Sequence, residues 1–219
     1  MRVVPVFVEV GVSMAYDVGS AAWVFDEDLW GTCGQGTDEG AALRDLSRQL
    51  GPGTRLEVVE RIRGDEQAFR RDRVACLEAE RERTLAILSR ARTRTVDLLR
   101  SVPPAVLDSE DLQRSLPSFA NWRTVRQMAW HIVDTESREY LPAAGLAARE
   151  PSDDLFTELT ESAAHVRRQL RAMPADLHVE QHGEVWTAVK LLRRLAWHER
   201  GELAVMRTMV ERLHQPRSA

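Results

Sequence analysis

The pattern of hydrophobic and polar residues changes in kind between residues 66 and 70. Before that point, short apolar runs rich in Val, Phe and Trp alternate with glycines, a pattern typical of strands. After it, apolar residues recur at three- and four-residue spacing, which is the period of one face of a helix. The sequence therefore predicts two domains, residues 1–66 and residues 70–219.

The first domain is predicted to contain three strands and one helix. The strand-like runs span residues 3–10, 21–34 and 54–62. A helix is predicted between the second and third strands, with Thr37 or Asp38 as its N-cap and Gly51 at its end. The predicted order is β-β-α-β. So small a sheet must be covered by its own helix or by the neighbouring domain.

The second domain is predicted to be helical. Four amphipathic segments span about residues 77–98, 121–141, 156–173 and 187–213. Asn121 is the predicted N-cap of the second segment, and Pro103 and Pro174 end the first and third. Residues 179–186, "VEQHGEVW", are expected to form a loop leading into the fourth segment. Four such helices favour an antiparallel four-helix bundle. The predicted fold class is therefore α+β, with a small β-β-α-β domain followed by the bundle.

Composition and charge narrow the classes of partner. The chain has 219 residues, of which 43% are hydrophobic and 29% are charged, as in ordinary soluble proteins. No run approaches ~18 consecutive apolar residues, so no membrane span is expected. Residues 1–69 hold 6 Arg against 12 Asp and Glu, which argues against nucleic-acid binding. Only two cysteines are present, which favours a reduced, cytoplasmic setting.

The fourth helix carries two polar residues on its apolar stripe. His198 and Glu202 stand where the periodicity would place leucines. A buried carboxylate without a partner is costly, so Glu202 needs one. The sequence leaves three options: an Arg from another helix, a proton shared with a His, or a metal ion.

A second histidine supplies a third candidate ligand for a metal ion. His131 lies mid-helix among Met128, Ala129 and Ile132 on the second helix. Facing helices of a bundle commonly build metal sites, and three protein ligands leave a coordination position open for water or substrate. Two imidazoles and one carboxylate suit Zn, Ni, Fe or Mn. The alternative is that His131 is a core histidine bonded to a polar neighbour and that Glu202 turns outward to pair with Arg194 or Arg207.

Further residues are candidates for supporting roles. Asp134 and Thr135 lie three and four residues after His131, so either could approach the site. Asp134 is a candidate to orient His131, although a solvated charge is the more common case for such a residue. Trp130 and Trp197 each precede a proposed ligand. We expect them to pack beside the site and limit access of water, although ordinary helix packing explains them equally.

Two motifs in the helical part resemble the DinB/YfiT-like superfamily. They are "TVRQMAWHIVDTESREYL" (124–141) and "EVWTAVKLLRRLAWHERGEL" (184–203), and the resemblance covers about residues 75–213. It implies a four-helix bundle, often homodimeric, with a divalent metal held by one His of the second helix and a His-x3-His pair of the fourth. Characterised relatives include S-transferases that use thiols such as mycothiol, a mycothiol-dependent isomerase and hydrolases.

The resemblance carries over to named residues with one departure. His131 matches the ligand of the second helix and His198 the first ligand of the fourth, whereas Glu202 stands where the family has its last His. The implied activity is metal-dependent thiol S-transfer or hydrolysis of a small-molecule substrate, with a thiol cofactor such as mycothiol. The alternative is a non-enzymatic binding or interaction protein with a degenerate site.

The first domain resembles the HicB-like antitoxin fold over about residues 3–62. The resemblance rests on "VFVEVG" (6–11) and on the Gly-rich turn into a helix within "AAWVFDEDLWGTCGQGTDEGAALRDL" (21–46). It implies a scaffold, a dimerisation surface or a cover for the substrate site. Trp23 and Trp30 are expected to be packing residues of this unit.

Overall fold

The computed structural model describes residues 2–214 and shows a mixed α+β fold. The amino-terminal part forms a four-stranded sheet with the order β3-β2-β1-β4. β1 pairs antiparallel with β2 and parallel with β4, and β2 pairs antiparallel with β3. Helix α1 connects β3 at one edge of the sheet to β4 at the other, where β4 lies parallel to β1. The elements are β1 (Arg2–Val12), β2 (Gly19–Trp23), β3 (Cys33–Gly36), α1 (Glu39–Leu50) and β4 (Thr54–Arg63).

The single strand predicted over residues 21–34 is wrong. The segment forms two strands, β2 and β3, separated by a 3-10 turn at Glu27–Leu29. Asp26 caps this turn by accepting a hydrogen bond from the Asp28 amide, and Gly31 takes a positive φ of 70°. The order is therefore β-β-β-α-β. Residue preferences alone did not separate one long strand from two short ones around a turn.

The helix of the first part is confirmed with its predicted ends. Asp38 caps α1 by accepting from the Ala41 amide at 2.7 Å, and Gly51 ends the helix with φ +77°. Gly34 lets α1 lie directly on the sheet, because a Cβ at this position would stand 2.3 Å from the Ala42 carbonyl oxygen. One face of β1 supplies the core beneath the helix, with Val4, Val6 and Val8 all buried.

The second part of the chain is mainly helical. α2 packs against α6 and α7, and α4 packs against the same two helices. α4 runs on through a π-helical segment, Thr135–Tyr140, into α5. The helices are α2 (Glu78–Ser101), α3 (Pro104–Leu107), α4 (Val125–Asp134), α5 (Leu141–Ala143), α6 (Leu155–Ala172) and α7 (Ala188–His214). Within residues 2–214, no helix combines the length and the apolar character that crossing a lipid bilayer requires.

Two local predictions for this part are wrong. The second helix begins at Val125 and not at 121, because Thr124 and Gln127 form a reciprocal capping box. The segment before α7, expected to be a loop, is a hairpin of β5 (His178–Gln181) and β6 (Glu184–Thr187). His182 and Gly183 both take positive φ angles at its turn, which is the geometry of a tight hairpin.

A buried network of charges joins the sheet to α7. Arg193 forms a bidentate ion pair with Asp72 at 2.8–2.9 Å, and Glu9 on β1 lies 3.8 Å from the same guanidinium. The Trp23 indole donates to Glu9 at 2.9 Å, and Arg193 lies over the Trp23 ring. Trp23 is buried against the sheet, which confirms it as a packing residue of the first unit. Trp30 is also buried, but it packs into the core of the helical part and donates to the Thr84 hydroxyl of α2 at 2.8 Å.

Candidate metal centre

His131, His198 and Glu202 converge between α4 and α7. The two imidazole Nε2 atoms are 3.4 Å apart, and Glu202 Oε1 lies 4.0 Å from Nε2 of His198. One ligand atom from each of the three residues lies within 4.8 Å of the others. The i, i+4 spacing of His198 and Glu202 places both on the side of α7 that faces His131. The three residues predicted as ligands are therefore brought together.

The separation of the two nitrogens suits a shared ion. Metal–nitrogen bonds of about 2.0–2.1 Å in a tetrahedral site place neighbouring ligand atoms roughly 3.4 Å apart. The observed Nε2–Nε2 distance of 3.4 Å has this value. It is long for a direct hydrogen bond between two rings. The donor set therefore fits a divalent cation better than it fits a bond between the histidines.

The electrostatic environment keeps both histidines in the form that binds metal. Burial lowers the pKa of His131 to about 3, with His198 and Arg114 adding to the effect. Burial also lowers the pKa of His198, against the opposing influence of Glu202. Both rings are therefore neutral near pH 7, as metal ligation requires. Burial raises the pKa of Glu202, against His198 and Arg114.

The ring of His131 is oriented by Thr135 and Trp122. Its Nδ1 lies 3.2 Å from the Thr135 hydroxyl, and Trp122 stacks on the ring with centroids 3.8 Å apart and planes within 11°. If Nδ1 carries the proton, Nε2 is free to accept a cation. Asp134 does not take this role, because its carboxylate accepts from Arg138. Thr135, at i+4 from His131, therefore orients the ring in place of Asp134 at i+3.

Glu136 faces Nδ1 of His198, as Thr135 faces Nδ1 of His131. Nδ1 of His198 lies 3.8 Å from Glu136 Oε1, and neither atom has a hydrogen-bond partner among the described residues. The π-helical segment explains how Glu136 reaches this position, because it turns three consecutive residues, Thr135 to Ser137, into the interior.

Arg92 of α2 holds Glu136 from the other side. Its guanidinium donates to Glu136 at 2.8 Å and to Glu199 at 2.6 Å, and all three side chains are buried. Burial raises the pKa of both carboxyl groups to about 7, although Arg92 opposes the shift. One cation thus faces two acids, and Glu199 belongs to this cluster instead of pointing at the proposed ion.

A cavity of about 520 Å³ opens onto the three candidate ligands. Tyr140, Trp197 and Val205 form part of its wall on the helical side. Residues 13–15 and Gln35 of the first part also line it, so this part covers one side of the cavity. This volume is in the range of sites that hold small molecules.

The two predicted tryptophans have different surroundings. Trp197 lines the cavity beside His198, with ring centroids 5.9 Å apart, and meets Trp23 edge-on. Trp130 instead packs into the hydrophobic cluster between the helices and does not line the cavity. Trp197 is therefore placed to limit water at the site.

The alternative partner for Glu202 is not found in the described part of the chain. Arg194 pairs with Glu66 at 2.7 Å, and neither it nor Arg207 forms an ion pair with Glu202. The Glu202 side chain is only 17% exposed. His198 lies 4.0 Å from the carboxylate, so Glu202 faces inward.

Sequence reasoning missed three residues of this region: Trp122, Glu136 and Arg114. Trp122 was placed inside the predicted second helix, whereas it lies two residues before the actual N-cap, Thr124. Glu136 reads as an exposed charge until the π-helical turn is known. No protein-family model, curated protein or solved structure matches the chain. The function is therefore inferred from the geometry of His131, His198 and Glu202 and of the residues around them.

Proposed function

We propose that the protein is a divalent-metal-dependent enzyme that acts on a small molecule by thiol S-transfer or hydrolysis. His131, His198 and Glu202 hold the ion. The observation that carries the proposal is the convergence of two imidazoles and one inward-facing carboxylate beside a cavity. Two nitrogens and one oxygen suit Zn, Ni, Fe or Mn.

The proposed chemistry needs little from the protein beyond the ion and its surroundings. A divalent ion with an open coordination position lowers the pKa of a bound water or thiol and so supplies a nucleophile at neutral pH. The chain's own groups prepare the ligands: Thr135 and Trp122 fix the His131 ring, and Glu136 faces the outer nitrogen of His198. Trp197 covers one wall and limits competing water.

The wider assignment follows the resemblance of the two helical motifs. In this proposal α2, α4, α6 and α7 form a DinB-like antiparallel four-helix bundle, and the HicB-like amino-terminal domain covers the substrate cavity. A thiol such as mycothiol is the proposed co-substrate. The protein is proposed to act as a homodimer in the cytoplasm.

A second candidate is a non-enzymatic binding or interaction protein. Glu202 at the position of the family's last His supports a degenerate site. In that case the three polar residues form a hydrogen-bond network without an ion. The inward orientation of Glu202 favours the metal-dependent enzyme, because no arginine within residues 2–214 forms an ion pair with the carboxylate.

Elemental analysis tests the proposal. Protein purified without added metal, or incubated with Zn, Ni, Fe or Mn and then dialysed, is expected to hold about one ion per chain. His198→Ala removes the ion. His165→Ala is the matched control, because His165 also lies on a helix but bonds to the Ala147 carbonyl away from the cavity. Metal-free wild-type protein under all of these conditions would contradict the proposal.

Activity separates the two candidates. Metal-loaded wild-type protein is expected to conjugate a low-molecular-weight thiol to an electrophile or to hydrolyse a small ester or amide. His198→Ala should abolish that activity, and His165→Ala should retain it. An ion bound in wild-type protein without either activity would favour the binding protein.

A further inference from the structure

Arg114 lies at the cavity beside the proposed metal centre. It belongs to the connection between α3 and α4 and lines the same cavity as His131 and Glu202. Its Nη1 donates to the Trp122 carbonyl at 2.6 Å, and Trp122 stacks on His131. The guanidinium is therefore held one side chain away from a proposed ligand.

The charge of Arg114 has no ion-pair partner in the described part of the chain. Arg194, the other cationic residue of the cavity wall, is paired with Glu66 at 2.7 Å. Arg114 makes its hydrogen bonds and sulfur contacts through Nη1 alone. The Nε–Nη2 edge has no protein partner, and neither atom is sealed from solvent. That edge is one of the two that bind a carboxylate through paired hydrogen bonds.

Hydrogen bonds hold the loop that carries Arg114 against α7 and against the first part of the chain. The Arg114 amide donates to the Asp111 carbonyl at 3.1 Å, and the Asp111 carboxylate accepts from Arg212 of α7 at 3.0 Å. Further along the loop, Ser118 donates to Asp17 of the first part through its amide and its hydroxyl. A cation held in this way binds an anion with little loss of conformational freedom.

The charges around the cavity favour an anion once the ion is bound. A divalent cation and Arg114 together exceed the single negative charge of Glu202, and a histidine that binds a metal is neutral. Glu139 also lines the cavity but is exposed. The local sum stays positive with it included. Positive charge in a walled cavity concentrates anions.

We propose that Arg114 is the anion-binding residue of the site and that the substrate is a small molecule bearing a carboxylate. Arg114 holds that carboxylate through its Nε–Nη2 edge while another group of the substrate reaches the centre formed by His131, His198 and Glu202. This inference rests on the proposed metal-dependent function.

Binding of two matched probes tests the inference. The probes are 3-mercaptopropionate and its methyl ester, which share a thiol that binds metal and differ in one carboxylate. The protein is loaded with Co(II), and thiolate binding is followed by the charge-transfer absorbance. Wild-type protein is expected to bind the acid about tenfold more tightly than the ester. A wild-type ratio near one would overturn the inference and leave the proposed function standing.

Three variants test whether Arg114 causes the preference for the acid. Arg114→Gln should reduce the acid-to-ester ratio to below about twofold, with the affinity for the ester unchanged. Arg114→Lys should give an intermediate ratio, because it keeps the charge but not the paired donors. Arg123→Gln is the matched control, since Arg123 is exposed on the same connection, does not line the cavity and loses the same charge.

The remaining outcomes distinguish failure of this inference from failure of the proposed function. A preference for the acid that persists in Arg114→Gln would show that another group binds the carboxylate, and the assignment would fail. An equal loss in Arg123→Gln would show that only long-range charge acts, which also overturns it. If neither probe changes the spectrum of wild-type protein, the metal-dependent function fails and this inference fails with it. Binding of the ester by each variant confirms that its metal centre is intact.

Discussion

Glu136 Oε1 faces His198 Nδ1 across 3.8 Å, and neither atom has a hydrogen-bond partner in the described chain. The two residues come from different helices, since Glu136 lies in the π-helical segment after α4 and His198 lies in α7. A histidine that binds metal through Nε2 commonly donates its Nδ1 proton to a carboxylate. The pair is therefore placed to support His198 as a ligand.

Removing the charge of Glu136 should weaken metal binding. We expect Glu136→Gln to lower the affinity for Zn by about 10- to 100-fold, the usual loss for such a partner. Competition with a chromogenic chelator measures it. Glu199→Gln is the matched control, because Glu199 shares Arg92 but does not face His198 Nδ1 within 4.0 Å. Equal losses in the two variants would show that the effect comes from Arg92.

The stability of the metal-free protein should depend on pH through His131. Its pKa falls from 6.5 to about 3 on folding, so the unfolded chain binds a proton that the folded chain does not. Stability is therefore lost as pH falls through 6.5 towards 3. Relative to His131→Asn, wild-type protein should lose about 1.4 kcal/mol of unfolding free energy per pH unit between pH 6 and 4. Urea unfolding measures both proteins, and parallel curves would contradict the assignment.

Trp122 should protect His131 from protonation. Trp122→Leu removes the stacked indole, admits water and lets the His131 pKa rise towards its ordinary value. Protons then compete with metal, so the variant should lose more Zn affinity at pH 6 than at pH 8. Trp130→Leu serves as the control, because Trp130 packs in the hydrophobic cluster away from the cavity. A loss independent of pH would indicate a steric effect only.

The buried pair of Asp72 and Arg193 should be critical for stability. Asp72→Ala leaves a buried guanidinium without its bidentate partner and should cost about 3–5 kcal/mol of unfolding free energy. Glu57→Ala is the control, since Glu57 and its partner Arg55 are both more than half exposed. Urea unfolding at fixed pH compares the two. A change in Asp72→Ala no larger than in the control would show that Glu9 compensates the charge of Arg193.

The helical pattern was a good guide to residues that lie along one element. The apolar stripe of α7 marked His198 and Glu202 as inward, and the structure places both beside His131. Caps were readable where the signal is a residue type beside the helix, as at Asp38 and Gly51. The role of Thr124 as the N-cap of α4 was not predicted, because Asn121, three residues earlier, is also a residue type that caps helices well.

What the sequence determined by itself is the helical period of the second part and the inward side of α7 that carries His198 and Glu202, because the spacing of apolar residues encodes such a side directly. Only the tertiary structure decided which atoms meet across elements. Glu136 reaches His198 through a π-helical turn, and Arg114 reaches the cavity on a loop fastened to α7. Such meetings depend on packing between residues distant in the chain, and hydrophobic periodicity carries no information about them.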